Sequence, residues 1–307
     1  PDGKLLADLA WKRFEVDGLR VGVIGLTTTE TPEITAGGMA AGCAFRPAAE
    51  ALAELLPEVE AESDLVVVLS HLGHEGDLAL AKAFPGIDVI VGGHSHTVVP
   101  EPVFVGETFV VQAGSCGRML GRLEVTVETA TGRVRKVEGS LLEVTADFPV
   151  SARTAAIVKT WEDRVAAEVD VKIGTATKAY DKAGLKTRIE AIYREILETD
   201  MGFQNPGGIR ATLSAGDVTI RHVWTILPFE NTLVRVHVLG MNLPDGMRPE
   251  GGDVDPHHVY TVATNSFVAD HADRYFPNGI EGIDDSGIMM RDAVVEWVRE
   301  HGGFEKK

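Results

Sequence analysis

Three histidines lie where strands of a predicted sheet end. His71 follows the apolar run DLVVVLS at residues 64–70, and His94 and His96 follow IDVIVGG at residues 87–93. Neutral imidazole is a common ligand of borderline divalent metals. In an extended segment, residues two apart face the same side, so His94 and His96 are expected to point at one place. The spacing therefore predicts a metal site, with Gly92 and Gly93 leaving room beside it.

Each of these histidines taken alone is more simply a solvated loop residue, and only their grouping favours metal binding. Three imidazoles are too few for a centre of two metals, which also needs bridging oxygen ligands. Asp64 and Asp88 begin their strands and are expected at the opposite edge of the sheet. Glu75 and Asp77 are closer, but carboxylates also suit the first turn of a helix. We therefore expect the metal site to be incomplete within this chain.

The elements that position the histidines alternate between strands and helices. Strands are predicted at residues 19–28, 64–70 and 87–93, and helices at 47–62 and 75–84. This order is typical of an α/β sheet, in which chemistry collects at the carboxyl ends of the strands. From about residue 102 to 145 the pattern changes to β-hairpins, with a turn at Thr131–Gly132. A long helix at 151–169, with Ser151 as its N-cap, then leads to a second domain that ends in a helix near 288–301.

Composition limits the kinds of partner. Asp and Glu total 46 against 29 Lys and Arg, which gives a net charge of −17 and opposes binding to a long nucleic acid. No apolar stretch reaches the roughly 18 residues of a membrane span. Cys43 and Cys116 are the only cysteines, so at most one disulfide is possible. The chain opens on Pro1, and we expect it to be part of a longer protein.

Several longer motifs resemble the 5′-nucleotidase family of calcineurin-like metallophosphoesterases. The first are VVVLSHLGHEGDLALAKAFPGIDVIVGGHSH at 66–96 and TFVVQAGSCGRMLGRLEV at 108–125. The second half of the chain adds NPGGIR at 205–210, ILPFENTLVRV at 226–236 and YTVATNSFVADHADRYF at 260–276. The resemblance implies the second half of a metallophosphoesterase α/β sandwich, followed by a smaller α+β substrate-binding domain. On this basis we expect a partial catalytic domain at 1–148, a bridging helix at 149–170 and the C-terminal domain at 171–307.

The resemblance also implies roles for individual residues. The family holds two divalent metal ions, of the Zn, Mn, Mg, Ca or Co class, and the matching ligands here are His71, His94 and His96. The family's other ligands and its catalytic histidine are expected upstream of residue 1. For substrate binding, the matching residues are Asn205, Gly208, Arg210, Phe229, Phe267 and Asp273. Arg210 would contact phosphate, and the two phenylalanines would enclose the base.

One departure from the family pattern concerns the loop after Phe267. His271, Ala272 and Arg274 stand where the family has glycines, so we expect either backbone strain or a changed loop. Two further arginines that bind phosphate in the family are not found at matching positions, and Arg188 is only a weak candidate.

The resemblance implies metal-dependent hydrolysis of phosphate esters of nucleotides, with a nucleotide as the small-molecule partner. Two alternatives stay open. In the first alternative, the chain binds a nucleotide without catalysis. In the second, it belongs to another branch of the family that acts on UDP-sugars, cyclic nucleotides or thiosulfonate adducts. We expect the isolated chain to be inactive because ligands are missing. We also expect an extracytoplasmic location, as in most of the family.

Overall fold

The structure is a computed structural model, and it describes residues 4–35, 39–128, 133–248 and 254–305. Contacts within the chain define two compact units, Pro1–Pro149 and Val150–Lys307. Within the described residues, no helix combines the length and the apolar character needed to cross a membrane. Cys43 and Cys116 are free thiols.

The first unit alternates strands and helices, as its sequence predicts. Its elements are β1 (Trp11–Val16), β2 (Leu19–Thr27), α1 (Thr31–Ile34), α2 (Ala48–Glu62), β3 (Leu65–His71), α3 (His74–Ala83), β4 (Val89–Val91), β5 (Val103–Val105), β6 (Thr108–Val111), β7 (Met119–Glu128) and β8 (Arg133–Glu143). The predicted α/β fold class is therefore confirmed.

A six-stranded sheet in the order β1-β2-β3-β4-β6-β5 forms the centre of this unit. The strands β2, β3, β4 and β6 run parallel, and β1 and β5 pair antiparallel at the two edges. One face of the sheet packs in a buried apolar cluster with α2 and α3; its strand members include Ile24, Val66, Val68, Ile90 and Val110. Because four neighbouring strands are parallel, their carboxyl ends meet at a single edge.

The strands β7 and β8 form a separate antiparallel hairpin. The pairing runs from Met119 opposite Glu143 to Glu128 opposite Arg133. The predicted turn at Thr131–Gly132 lies outside the described residues.

The second unit opens with α4 (Ala152–Val169), and Ser151 caps it by accepting a hydrogen bond from the Thr154 N–H. The other elements are β9 (Lys172–Ala176), α5 (Lys182–Leu197), β10 (Met201–Gly202), β11 (Gly216–Thr219), α6 (Ile220–Ile226), β12 (Thr232–Leu239), β13 (Val259–Asn265), α7 (Ser266–Asp270), α8 (Ala272–Tyr275), β14 (Gly282–Met289) and α9 (Met290–His301).

The main sheet of the second unit has the order β10-β13-β12-β14, and β9 and β11 form a two-stranded sheet. One buried cluster packs α5, α6 and α9 together, with Tyr193, Ile226 and Val294 among its members. A second cluster lies around β12, β13 and α7 and includes Val236, Val262 and Val268. These clusters fix the two segments that carry the predicted substrate residues, Asn205–Arg210 and Ser266–Tyr275.

Candidate active site

The carboxyl edge of the parallel sheet brings two of the three histidines together. His71 is the last residue of β3, and His94 follows β4 by three residues. Their ring centroids are 5.0 Å apart, with planes tilted by 52°. Gly93 makes this approach possible because a Cβ there would lie 3.2 Å from His71 Nδ1. The pairing of strands β3 and β4 therefore produces the imidazole pair.

The segment that carries His94 and His96 is not extended, so the alternation predicted for it is wrong. The strand β4 ends at Val91, and His94 and His96 both have left-handed backbone, with φ of 68° and 57°. This conformation is uncommon for residues that have a Cβ. His96 is exposed, whereas the His94 side chain is only 25% exposed. The backbone turns tightly here, so His94 and His96 do not lie on the same side of an extended segment.

Glu30 is a site residue that the sequence analysis missed. It lies just after β2, and its Oε2 accepts a hydrogen bond at 3.0 Å from His94 Nε2. The signal was available, because Glu30 follows a parallel strand in the same way as the histidines do. Carboxylate and imidazole groups now come from the ends of three neighbouring strands.

His71, His94 and Glu30 provide some, but not all, of the ligands that a metal centre needs. Across the described ranges of the chain, no group of three or more His, Cys, Asp or Glu side chains is arranged to hold a metal ion. His71 and His94 supply two adjacent nitrogen donors, and His94 already shares a hydrogen bond with Glu30. As positioned here, the predicted trio of His71, His94 and His96 is a pair plus one exposed ring.

A network of buried polar side chains holds the segment that carries His94 and His96. The Ser70 hydroxyl donates to Asp77 Oδ1, and Asp77 is fully buried in the first turn of α3. Burial raises the pKa of Asp77, and the hydrogen bond from Ser70 offsets part of that rise. Gln112 Nε2 donates to the Gly93 carbonyl at 3.1 Å, and its Oε1 accepts from Ser95 Oγ at 3.1 Å. The 93–97 segment is thus held by hydrogen bonds that the sequence did not reveal.

Two acids serve the opposite edge of the sheet, as expected. Asp64 pairs with Arg20, with 2.6 Å between Oδ1 and Nη2, and this hydrogen-bonded pair lowers the pKa of Asp64 to about 2. Asp88 accepts a hydrogen bond from the Val66 N–H at 2.7 Å, and burial raises its pKa. Neither carboxylate is directed at the histidines.

In the second unit, Arg210 and Phe229 lie in contact. The Arg210 Cζ is 5.1 Å from the centroid of the Phe229 ring, a cation–π distance. The Arg210 N–H donates to the Ile226 carbonyl at 2.9 Å, which joins the NPGGIR turn to the segment before Phe229. Among the described residues, Arg210 forms no ion pair, and Phe229 is 38% exposed. A cationic fork and an aromatic ring are therefore both accessible.

Asn205 and Gly208 are packed within the protein and maintain the shape of the NPGGIR turn. Asn205 is buried, and its Oδ1 accepts from Gln204 Nε2 at 2.9 Å and from Asn265 Nδ2 at 3.1 Å. At Gly208, a Cβ would lie 2.0 Å from Gln204 Nε2, so any larger residue would have to displace the Gln204 amide. These two predicted residues shape the turn that presents Arg210.

Phe267 contacts the ring of His271, with centroids 4.4 Å apart, rather than Phe229. His271 has a φ of −114° and separates the short helices α7 and α8. The loop is therefore changed, without the left-handed strain that glycine replacement would otherwise cause. Asp273 is exposed in α8.

Arg188 is held by structural contacts. Its guanidinium lies 4.6 Å from the Trp297 ring centroid, and its Nε donates to the Phe304 carbonyl. These contacts anchor α5 to the chain around α9.

Fold and site together define a two-unit α/β protein whose first unit gathers histidines at strand ends. Residues 165–250 match the family described as 5′-nucleotidase, C-terminal domain. The crystal structure of a 5′-nucleotidase precursor from Thermus thermophilus has a TM-score of 0.83 and 27% identity, covering 97% of this chain and 73% of that one.

Two curated relatives come from Bacillus subtilis (strain 168). The trifunctional nucleotide phosphoesterase protein YfkN is 28% identical over 76% of this chain, and the uncharacterized metallophosphoesterase YunD is 27% identical over 75%. The chain spans 17% and 50% of their respective lengths. These findings confirm the resemblance of the chain to the 5′-nucleotidase family.

Proposed function

We propose that the chain belongs to a metal-dependent hydrolase that cleaves phosphate esters of nucleotides. The observation that carries this proposal is the His71–His94 pair at the carboxyl edge of a parallel sheet. It occurs in a chain whose relatives are named phosphoesterase, metallophosphoesterase and 5′-nucleotidase. The location outside the cytoplasm stays a prediction.

In this proposal, His71, His94 and His96 contribute ligands to divalent metal ions. A bound divalent ion supplies a Lewis acid and lowers the pKa of a bound water molecule. The protein's own contribution is the placement of the imidazoles, which the Gln112 and Asp77 contacts hold beside Gly92 and Gly93. Glu30 competes for His94 Nε2 or joins the ligand set through its carboxylate.

Substrate binding in this proposal depends on Arg210, Phe229 and Phe267. The planar guanidinium of Arg210 matches the geometry of a phosphate group, and its position on Phe229 limits its freedom. Both phenylalanine rings offer a face for a nucleobase, and stacking tolerates different bases. Asn205 and Gly208 shape the turn, and Asp273 presents an exposed carboxylate on α8, the helix that follows the one carrying Phe267.

The test is a phosphate-release assay on the full protein that carries this sequence, with AMP and Mn²⁺ or Zn²⁺. Metal-dependent release that falls by at least about 100-fold in His94→Ala supports the proposal. His257→Ala is the matched control, because His257 is exposed and distant in sequence from all three predicted ligands. If His94→Ala and His257→Ala released phosphate at the same rate, His94 would not be a metal ligand needed for hydrolysis. UDP-glucose and a cyclic nucleotide, assayed in parallel, distinguish the branches of the family.

A second candidate function is nucleotide binding without hydrolysis. It is favoured by the finding that the described residues hold no group of three metal ligands. Calorimetry with AMP in EDTA separates the two candidates. Tight binding without metal, together with no phosphate release when metal is added, would favour the binding protein.

A further inference from the structure

Asn265 lies at the junction of the two segments that carry the predicted substrate residues. It is the last residue of β13, and it precedes α7, on which Phe267 lies. Its side chain is completely buried. A buried amide is retained in a protein core only where its donors and acceptor are satisfied, so its partners indicate what it does.

The Asn265 amide nitrogen reaches the NPGGIR turn. Nδ2 donates to Asn205 Oδ1 at 3.1 Å and to Gln204 Oε1 at 3.2 Å. Gln204 Oε1 also accepts from the Tyr193 hydroxyl at 3.1 Å, which fixes the orientation of the Gln204 amide. The donor side of Asn265 is therefore committed to the turn that ends at Arg210.

The Asn265 amide oxygen serves the other segment. Oδ1 accepts a hydrogen bond at 3.1 Å from the N–H of Val268, in the first turn of α7. Asparagine is among the preferred N-cap residues because its side chain satisfies such a free N–H. One side chain thus holds the start of the helix that carries Phe267 and the turn that carries Arg210.

We propose that Asn265 is a positioning residue that sets Phe267 relative to Arg210, and so sets base stacking relative to phosphate binding. This proposal rests on the proposed function of the same residues. Its hydrogen bonds reach the Phe267 helix through Val268 and the Arg210 turn through Asn205. Buried hydrogen-bonded networks of this kind hold binding groups in a defined geometry.

Two variants separate the two sides of the amide. Asn265→Ser keeps a capping oxygen for the Val268 N–H but is too short to reach Asn205, whereas Asn265→Ala loses both contacts. Thr264→Val is the matched control, because Thr264 is fully buried next to Asn265 and its hydroxyl has no hydrogen-bond partner among the described residues.

AMP binding is measured by calorimetry on the full protein, at a temperature where every variant is folded. We expect roughly tenfold weaker binding in Asn265→Ser and unchanged binding in Thr264→Val. The decisive comparison is on an Arg210→Ala background, where Asn265→Ser should add little further loss, because the contact that it removes acts through the turn that carries Arg210. A merely structural role would give the same loss on both backgrounds and would overturn the proposal.

Hydrogen exchange on the nucleotide-free protein separates this proposal from the proposed function. We expect Asn265→Ser to increase exchange at residues 205–210 while Val268 stays protected, and Asn265→Ala to expose both. If wild-type protein binds no AMP but exchange follows this pattern, the proposed function fails and the bridging role stands. Unchanged exchange at 205–210 in both variants would show that Asn265 does not hold the turn.

Discussion

Replacement of Gly92 by alanine should destabilise the first unit severely, because the added methyl group has no space. A Cβ at residue 92 would lie 2.1 Å from Asp77 Oδ2 and 3.0 Å from Gln112 Nε2. Favourable contacts between heavy atoms begin at about 3.5 Å, so Asp77 Oδ2 would have to move by about 1.4 Å. Neither neighbour is free to move. Asp77 is fully buried and holds the Ser70 hydroxyl, and Gln112 is tied to the Gly93 carbonyl.

The expected cost follows from those contacts. Overpacking a core by one methyl group costs roughly 1–3 kcal/mol. Displacing Asp77 also breaks a buried hydrogen bond, which adds about 1–3 kcal/mol where the partner stays unsatisfied. We therefore expect Gly92→Ala to lower the free energy of unfolding by about 3 kcal/mol, measured by urea denaturation.

Gly25→Ala is the matched control on the neighbouring part of the same sheet. Gly25 lies in β2, and within the described parts of the chain a Cβ there would meet no atom within 4 Å. Alanine in place of a strand glycine should be neutral or stabilising by about 0.5 kcal/mol. If Gly92→Ala unfolds at the same urea concentration as Gly25→Ala, the Asp77 contact does not constrain residue 92 and the reasoning is refuted.

Two further predictions concern the stability of the first unit at low pH and the packing of the second unit. The Arg20 partner holds the pKa of Asp64 at about 2, below its ordinary 3.8, so the pair's contribution is present above pH 3.8 and is lost as pH falls toward 2. Because Asp64 is partly exposed, the ion pair contributes about 1 kcal/mol to the free energy of unfolding, and Asp64→Asn should remove this contribution. Denaturation of both proteins at about pH 6 and about pH 2.5 measures how much stability each loses in acid. If Asp64→Asn left the pH dependence unchanged, the role given to the Arg20–Asp64 pair would be wrong. In the second unit, Gly202→Ala should cost about 3 kcal/mol, since its Cβ would lie 2.1 Å from the Glu190 carbonyl oxygen. Thermal melting should show a much larger fall in melting temperature than in Gly246→Ala, whose Cβ would meet no atom of the described residues within 4 Å. Equal melting temperatures would contradict this explanation.

The sheet of the first unit was predictable because each strand is encoded by a run of consecutive apolar residues. Continuous apolar runs are typical of strands in a parallel sheet, and the runs before His71 and His94 end at Leu69 and Val91. The observed strands, Leu65–His71 and Val89–Val91, fall inside the predicted ranges or within one residue of them. The rule that function collects at the carboxyl ends of strands then placed both imidazoles at the correct edge.

The finer geometry was not predictable, because it depends on contacts between distant parts of the chain. The left-handed backbone at His94 and His96 is maintained beside Gln112, which the sequence does not connect to either residue. Glu30 meets His94 across 64 positions of sequence. The amide contacts of Asn265 with Asn205 are equally remote along the chain, 60 positions apart. Side chains that meet across strands leave no periodic signal.

The left-handed residues His94 and His96 have a consequence for engineering this protein. A residue with a Cβ in that conformation carries about 1–2 kcal/mol of steric cost that glycine avoids. Selection for heat resistance alone should therefore enrich glycine at either position, and with it remove an imidazole. A thermostabilisation campaign would need to screen for phosphate release at every round, because glycine at either position removes a proposed metal ligand.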